Sequence, residues 1–262
     1  MKHTYKISAL AIALASAFST VSFADISFVR VKAATLPNFQ LTPNIAAAVS
    51  SAFGSTPVVR ALYATQSGFQ IYRCDRNAAQ QPTWLLRTPL TQLAPRQFTP
   101  LLVRPVSNSY HILSNFGGLV NDAELSAMGL LSADGIRANA PVWQFTFTEP
   151  NQSPLTATGH RETVAGRVIA QDTVVPTDIP WFLIEVRGRA VSTLTSGVTT
   201  NTTNLADPRT NPIAASEYLL RFNTKGGVAP SAATCSESTI GSESQQAYSS
   251  DYYFVDIDPP TL

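Results

Sequence analysis

The hexapeptide WQFTFT at positions 143–148 alternates strictly between an aromatic and a polar residue. Side chains on a β-strand alternate between its two faces, so this stretch predicts a half-buried strand with its three rings on one face. The run PWFLIEV at positions 180–186 is almost continuously apolar instead, which predicts a central strand with apolar surroundings on both faces. These two patterns indicate a protein built on β-sheet.

Further strand-like stretches lie on both sides of this pair, separated by turns rich in proline, glycine and serine. We expect strands at 26–31, 58–64, 69–74, 84–87, 218–223 and 252–257. Gln66-Ser67-Gly68 falls between two of them and predicts a hairpin turn. An alanine-rich segment at 44–53 predicts one short helix, capped near Thr42 or Asn44. The expected fold class is all-β: a single antiparallel β-sandwich or barrel-like domain with long loops and at most one or two short helices.

Two segments interrupt the succession of strands. Residues 107–131 are rich in Asn, Gly and Ser, and we expect an elaborated loop there with one helical turn near 122–128. Residues 192–212 consist mostly of Thr, Asn, Ser and Pro, which predicts a mobile surface loop. Neither is expected to be an interdomain linker, because strands of the same type resume on both sides.

The N-terminus has the layout of a secretory signal peptide. Lys2 begins a charged start, an apolar stretch follows at 7–18, and small residues lead up to Ala24. The apolar stretch is shorter than the roughly 20 residues that cross a bilayer, so we predict cleavage after Ala24 and no membrane span. The expected organisation is a signal peptide at 1–24 and one β-rich domain at 25–262, exported to the periplasm or the extracellular space.

The charge balance argues against one class of partner. The whole chain contains 18 basic and 17 acidic residues, and neither sign is gathered into a run. Binding to the nucleic-acid backbone depends on clustered lysine and arginine. We therefore expect no nucleic-acid partner.

Cys74 and Cys235 are the two cysteines of the chain. An even number in an exported protein favours a disulfide, because the compartments outside the cytoplasm are oxidising. A metal site is the alternative, but two thiols without a nearby histidine lack the ligand spacing of a zinc site. We therefore expect a disulfide between Cys74 and Cys235 that ties one domain together, and no metal.

No catalytic motif of comparable strength accompanies the cysteines. His160 lies two residues before Glu162, which would suit an acid–base pair, but the pattern favours a polar turn. His111 has no partner visible in the sequence. The chain has neither the Gly-x-Ser-x-Gly elbow of a hydrolase nor the Gly-x-Gly-x-x-Gly turn of a dinucleotide site, so no cofactor is expected.

Paired carboxylates would suit glycoside hydrolysis. Asp122 with Glu124, and Asp256 with Asp258, lie two residues apart and would share a face on a strand. One pair falls in a predicted loop and the other at the C-terminus. Solvated charge is the better interpretation of both pairs.

Aromatic side chains exposed on a sheet would form a platform for sugar rings. The candidates are Trp84, Trp143, Trp181 and the tyrosines at 248, 252 and 253. Trp143 and Trp181 stand in apolar patterns that favour the core. Trp84 and Tyr253 are therefore the residues that we predict to be exposed and to bind a ligand.

Six motifs occur in an order that resembles one known family. They are GFQIYRC at 68–74, Trp84, PVW at 141–143, IPWFL at 179–183, RFNTKGGVAP at 221–230 with Cys235, and Tyr248 with DYYF at 251–254. Over residues 36–254 the chain resembles the family catalogued as domain of unknown function 3455. The resemblance implies an exported β-rich domain with a cysteine pair, in a family of bacterial and fungal proteins without an established activity. The chain departs from the family pattern at 135–140, which lacks the histidine of a Gly-x-x-x-Gly-x-His motif.

The sequence favours a non-catalytic, exported domain that binds a ligand or partner through loops at one end of a β scaffold. A polysaccharide or an envelope protein is the expected partner. The alternative is a hydrolase of unrecognised type that acts on an envelope or extracellular polymer through scattered Asp, Glu or His residues. A purely structural envelope protein is a third alternative.

Overall fold

The computed structural model describes residues 31–32, 39–53, 57–96, 108–116, 119–148, 159–195, 198–202 and 211–256. These residues form ten strands: β1 Val31–Lys32, β2 Val58–Arg76, β3 Pro82–Pro95, β4 Asn108–Leu113, β5 Pro141–Thr148, β6 Gly159–Asp172, β7 Trp181–Thr195, β8 Val198–Thr202, β9 Tyr218–Gly226 and β10 Glu243–Asp256. They also form helices α1 Pro43–Phe53 and α2 Asp122–Ala127, and two 3₁₀ turns at Ala232–Thr234 and Glu237–Thr239. No helix in these ranges is long and apolar enough to cross a membrane. The predicted signal peptide lies outside the described residues.

Eight of the strands form a closed antiparallel barrel. Neighbours along the wall are β2, β10, β9, β7, β6, β5, β4 and β3, and β3 pairs back onto β2. β1 pairs with the start of β2, and β8 pairs with the end of β7. The all-β prediction is confirmed. The sheet closes on itself, so of the two predicted architectures the fold is a barrel and not a sandwich.

The barrel interior is filled by aromatic side chains. Tyr63 on β2 and Phe145 on β5 have ring centroids 4.5 Å apart, although their strands are not neighbours in the wall. Their contact therefore crosses the interior. The predicted alternation at 143–148 is confirmed, because Trp143, Phe145 and Phe147 are 1%, 0% and 0% exposed.

Two helices cover parts of the barrel surface. Ile45 and Val49 of α1 are buried in the main apolar cluster of the protein. Leu125 of α2 is buried in a second cluster, together with side chains from β4, β5, β6 and β7. The predicted helix at 44–53 and the predicted helical turn near 122–128 are both confirmed.

The predicted hairpin turn at 66–68 is wrong, because β2 continues through these residues without reversing. Its pairing with β3 skips one residue between Thr65 and Ser67. Such a β-bulge adds a residue to one strand and bends the strand without ending it. Ser67 and Gly68 stay paired with β3, and β2 pairs with β10 before and after this stretch, at Ala64 and Phe69; this pairing outweighs the local turn signal.

Both predicted loops contain strands. β4 lies within the segment at 107–131, so the loop prediction is wrong at Asn108–Leu113. In the segment at 192–212, β7 extends to Thr195 and β8 follows, while 203–210 lie outside the described residues. The predictions from composition missed these strands, because threonine and other polar residues also occur in strands that turn only one face to a core.

The predicted disulfide is present, and it joins Cys74 of β2 to Cys235 with Cα atoms 5.4 Å apart. The chain leading to Cys235 also packs on β2, since Tyr72 Oη donates to Gly227 O at 2.8 Å. A Cβ atom on Gly227 would lie 2.7 Å from Tyr248 Cβ, and its φ of +80° also favours glycine. The disulfide and this close approach hold the segment 227–235 on the barrel.

Candidate functional site

Tyr253 is buried, so the prediction that its side chain is exposed is wrong. The residue is 2% exposed, and its ring packs against Phe39 and Phe222 at centroid distances of 5.6 and 5.7 Å. Burial, with a smaller contribution from the negative charge of Asp251, raises the pKa of the Tyr253 hydroxyl to about 12. A ring that is covered by the segment before α1 has no free face for a sugar.

Trp84, the other predicted ligand-binding residue, is half-buried. Its indole Nε1 donates to Thr234 Oγ1 at 3.0 Å, and Trp84 pairs in register with Cys74, so the ring lies beside the disulfide. Its neighbours Leu85 and Leu86 are 39% and 46% exposed. Trp84 therefore keeps an accessible part, and ligand binding by this residue stays a prediction.

His111 belongs to the core and is unsuited to general base catalysis. The residue is 2% exposed, and its ring stacks on Trp143 with centroids 4.3 Å apart. His111 Nδ1 donates to Val142 O at 3.1 Å. Burial lowers the pKa of His111 to about 3, although the hydrogen bond to Val142 acts in the opposite direction. The imidazole is therefore neutral and enclosed.

The predicted carboxylate pairs are engaged in separate contacts. Asp122 is exposed and lies 2.6 Å from the guanidinium of Arg137, whereas Glu124 is fully buried. Asp256 forms a buried ion pair with Arg60. Asp258 lies outside the described residues. Asp122 and Glu124 therefore do not present two carboxylates to one substrate.

Glu124 fastens α2 to the barrel. Its Oε2 accepts hydrogen bonds from Gln144 Nε2 at 3.1 Å and from Asn121 N at 3.4 Å, and its Oε1 accepts from Ser192 Oγ at 3.2 Å. Asn121 Oδ1 accepts from Glu124 N in return, which completes a capping box at the start of the helix. The buried carboxylate therefore has a structural role.

His160 and Glu162 form a hydrogen-bonded pair on β6, so the prediction of a polar turn is wrong. His160 Nε2 donates to Glu162 Oε1 at 3.0 Å. Glu162 Oε2 accepts from the backbone N–H groups of Ile213 and Ala214 at 2.8 and 2.7 Å. The Glu162 side chain is 0% exposed and the His160 side chain 18% exposed. A carboxylate held in this way orients an imidazole, as general base catalysis requires.

Arg221 is a buried cation that the sequence analysis missed. It is 6% exposed, and its Nε and Nη2 donate to Pro180 O at 3.2 and 2.7 Å. Its guanidinium carbon lies 3.9 Å from the ring centroid of Phe182. Burial lowers the pKa of Arg221, against the influence of the neighbouring Tyr252 hydroxyl. The signal was a single arginine in the apolar run YLLRF, but an enclosed group does not face a ligand.

A surface cleft of about 390 Å³ lies between the segment that follows α2 and the strands β6 and β7. Apolar and small residues line most of it, namely Met128, Leu130, Ala140, Pro141, Ala165, Gly166, Val168 and Gly188. Its polar lining comes from Asn139, Arg167 and Arg187. Its volume lies near the lower end of the range for small-ligand sites. The sequence did not indicate the cleft, because four separate stretches of the chain line it.

Two arginines give the rim of the cleft a positive charge. Arg167 Nη2 and Arg187 Nη2 lie 3.3 and 2.7 Å from the same atom, Glu185 Oε2. The two arginine side chains are 64% and 54% exposed. The two guanidinium groups share one carboxylate. N–H donors of both arginines and one net positive charge are therefore still available to bind an anion.

Gly188 explains how the two walls of the cleft come together. A Cβ atom at this position would lie 2.8 Å from Met128 Cβ and 3.0 Å from Met128 O. The segment after α2 approaches β7 this closely only because Gly188 has no side chain. An isolated glycine between Arg187 and Arg189 in a strand was a signal for such an approach.

Within the described ranges, no group of three or more His, Cys, Asp or Glu side chains is arranged to hold a metal ion. No curated protein and no solved structure matches the chain. The model of one family, described as "Protein of unknown function (DUF3455)", matches residues 55–256, which is more than half of the chain. The chain therefore belongs to the DUF3455 family, as its ordered motifs predicted.

Proposed function

We propose that this protein is an exported, non-catalytic β-barrel that binds a ligand, and that the cleft beside Gly188 is the binding site. The observation that carries this proposal is the combination of an apolar floor with two exposed guanidinium groups at the rim. Export is supported by the predicted signal peptide and by the disulfide, which suits an oxidising compartment.

The cleft favours an amphipathic anion as the ligand. An apolar group on the floor gains about 25 cal/mol for each Å² of apolar surface that leaves water. A carboxylate or phosphate group suits the planar fork of Arg167 or Arg187, which donates two parallel hydrogen bonds. Acylated or acidic fragments of an envelope polymer belong to this class. A neutral polysaccharide fits less well, because Trp143 and Tyr253 are buried.

Binding of simple probes tests this proposal. We expect octyl phosphate and octanoate to shift the NMR signals of cleft residues, and neutral octyl glucoside to bind more weakly. The double variant Arg167→Gln/Arg187→Gln should lose at least tenfold in affinity for octyl phosphate. Arg76→Gln is the matched control, because this exposed arginine also pairs with one carboxylate, Glu237, but lies outside the cleft. Equal binding of the phosphate and the glucoside, or equal losses in both variants, would contradict the proposal.

A hydrolase is the second candidate, and the pair of His160 and Glu162 is the observation that favours it. Among the described residues, Glu162 is the hydrogen-bond partner of His160, and no hydroxyl group is hydrogen-bonded to the imidazole. His160 would therefore activate a water molecule as general base. Turnover of a chromogenic ester or glycoside by the pure protein, abolished in His160→Asn but retained in the cleft double variant, would establish this function in place of the first.

A further inference from the structure

Part of one edge of β3 carries no neighbouring strand among the described residues. β3 pairs with β2 along its whole length, but β4 pairs only with Thr91 and Gln92. Leu113, the last residue of β4, donates its backbone N–H to the Thr88 side chain at 2.9 Å. From there towards the start of β3, the backbone edge at 83–87 is open in the described structure.

This open edge is apolar. Leu85 and Leu86 are 39% and 46% exposed, and Trp84 is half-buried. Consecutive residues of a strand point to opposite faces, so apolar side chains are accessible on both faces of the sheet. A single exposed leucine is ordinary, but three consecutive large apolar residues on an unpaired edge form a surface that favours association.

The opposite edge of the same part of the sheet is polar. β10 pairs with β2 from Glu243 onward, whereas β9 joins β10 only from Tyr248. The residues on this second open edge are Glu243, Ser244, Gln245 and Gln246. Proteins protect open edges with charged and polar side chains. The β10 edge is polar throughout, whereas the β3 edge is apolar at Trp84, Leu85 and Leu86 between its flanking prolines, which favours an occupant at these three residues.

The β3 edge is complementary to itself when two copies run antiparallel. With Leu85 on a two-fold axis, Leu85 faces Leu85 of the second copy, and Trp84 faces Leu86 of the second copy. Each large apolar side chain then has an apolar partner directly across the new strand pair, which stabilises a sheet. Thr83 faces Arg87 of the second copy, so no like charges meet.

Structural features bound this stretch on both sides. Pro82 and Pro89 have no backbone N–H, so neither extends a ladder of hydrogen bonds. The register between β2 and β3 also shifts between Leu86 and Thr88, which bends the strand there. Pairing is thereby limited to 83–87, about the usual length of a strand.

We propose that two copies of this protein associate through their β3 edges, antiparallel about a two-fold axis at Leu85, to form one continuous sheet. Such an interface uses the same surface of both copies and therefore closes at a dimer. A contact of about five residues per copy buries much less surface than the roughly 1,600 Å² of a standard interface. We therefore expect a dimer that dissociates on dilution. This proposal is independent of ligand binding at the cleft.

Sedimentation equilibrium of the oxidised protein tests the proposal. The mass of the wild type should rise from monomer to dimer with concentration. Leu85→Lys should hold the protein at the monomer mass, because like charges would then meet on the axis. Ile136→Lys is the control: Ile136 is 66% exposed and lies outside β3, so this variant should dimerise as the wild type does. Thermal melts verify that both variants are folded.

A mixture of variants tests the register. Leu85→Glu should also be monomeric alone, and an equimolar mixture with Leu85→Lys should restore the dimer, since opposite charges then face each other. Failure of the folded mixture to dimerise would overturn pairing at Leu85. Wild-type protein that stays monomeric at millimolar concentration would overturn the dimer. An extended segment of another protein would then be the expected partner of this edge.

Discussion

Asp172, the last residue of β6, accepts a hydrogen bond from the backbone N–H of Ile45 at 3.3 Å and so attaches the first turn of α1 to the barrel. Thr42 Oγ1 and Asn44 Nδ2 donate to the same carboxylate. The side chains that we expected to cap the helix thus bind a residue of a distant strand. That residue supplies the acceptor that a helix N-terminus needs.

We expect α1 to loosen in acid. Hydrogen bonds, chiefly the one from Thr42, hold the pKa of Asp172 below its ordinary value of 3.8. Because the folded pKa is the lower one, the contribution of Asp172 to stability is complete above the unfolded pKa and is lost as the pH falls through the folded pKa. The protection of the amides at 43–53 from hydrogen exchange, relative to their intrinsic exchange rates at each pH, should therefore fall below the ordinary pKa of 3.8.

Two variants isolate this effect. Asp172→Asn should lower the protection of α1 at neutral pH and remove its further loss in acid. Asp134→Asn alters an exposed carboxylate in another loop and should change neither property. Slow exchange of α1 in folded Asp172→Asn would show that the carboxylate does not hold the helix.

Loss of the disulfide should destabilise the barrel strongly. The bond joins residues 161 positions apart, and closure of a loop of this length contributes about 4 to 5 kcal/mol in the chain-entropy model. We expect the double variant Cys74→Ala/Cys235→Ala to melt roughly 8 to 20 °C lower than the wild type. Circular dichroism measures the melting temperature. Reductant should lower the wild-type value towards that of the variant, and a variant that melts at the wild-type temperature would contradict the prediction.

Phe145→Ala should have one of the largest effects of any single truncation in the interior. The Phe145 ring is 0% exposed and contacts both Tyr63 and Phe254. Its removal leaves a cavity and should lower the free energy of unfolding by about 3 to 5 kcal/mol. Phe69→Ala is the matched control, because Phe69 is 37% exposed and should cost less than about 1 kcal/mol. Urea denaturation of both variants measures the difference, and similar losses would be inconsistent with an interior that packs around Phe145.

The network around Glu124 should show coupling between its members. Glu124→Ala leaves Gln144 and Ser192 without their carboxylate partner and should cost about 1 to 3 kcal/mol. Asn121→Ala removes the cap of α2 and should cost about 1 kcal/mol. The double variant should cost less than the sum, because both substitutions break the same capping box. Strict additivity in a double-mutant cycle would argue against a shared network.

Prediction succeeded where the signal was local and repeated. The alternation at 143–148 needs no knowledge of neighbouring strands, and its three rings are buried as expected. At 66–68 the pairing of Ser67 and Gly68 with β3 outweighed a local turn signal. The composition of the polar segment at 107–131 did not indicate β4, because a strand with one polar face resembles a loop in composition.

The candidate sites were less predictable than the elements. Nothing next to Tyr253 in the sequence reveals that Phe39, more than two hundred residues earlier, covers its ring. Neither Arg167 nor Arg187 belongs to a motif, so the sequence did not point to either residue. Their shared contact with Glu185 depends on the pairing of β6 with β7. Sites assembled from separate segments have no local signature.

Residue types and their local order were thus sufficient for the all-β class, the family and the disulfide between Cys74 and Cys235. These properties follow from alternation, from the sequence of motifs and from the count of cysteines. Closure into a barrel, the burial of Tyr253, the cleft beside Gly188 and the open edge at Leu85 depend on which strands are neighbours and in what register. Such pairings join residues far apart in the chain, and only the folded protein brings them together.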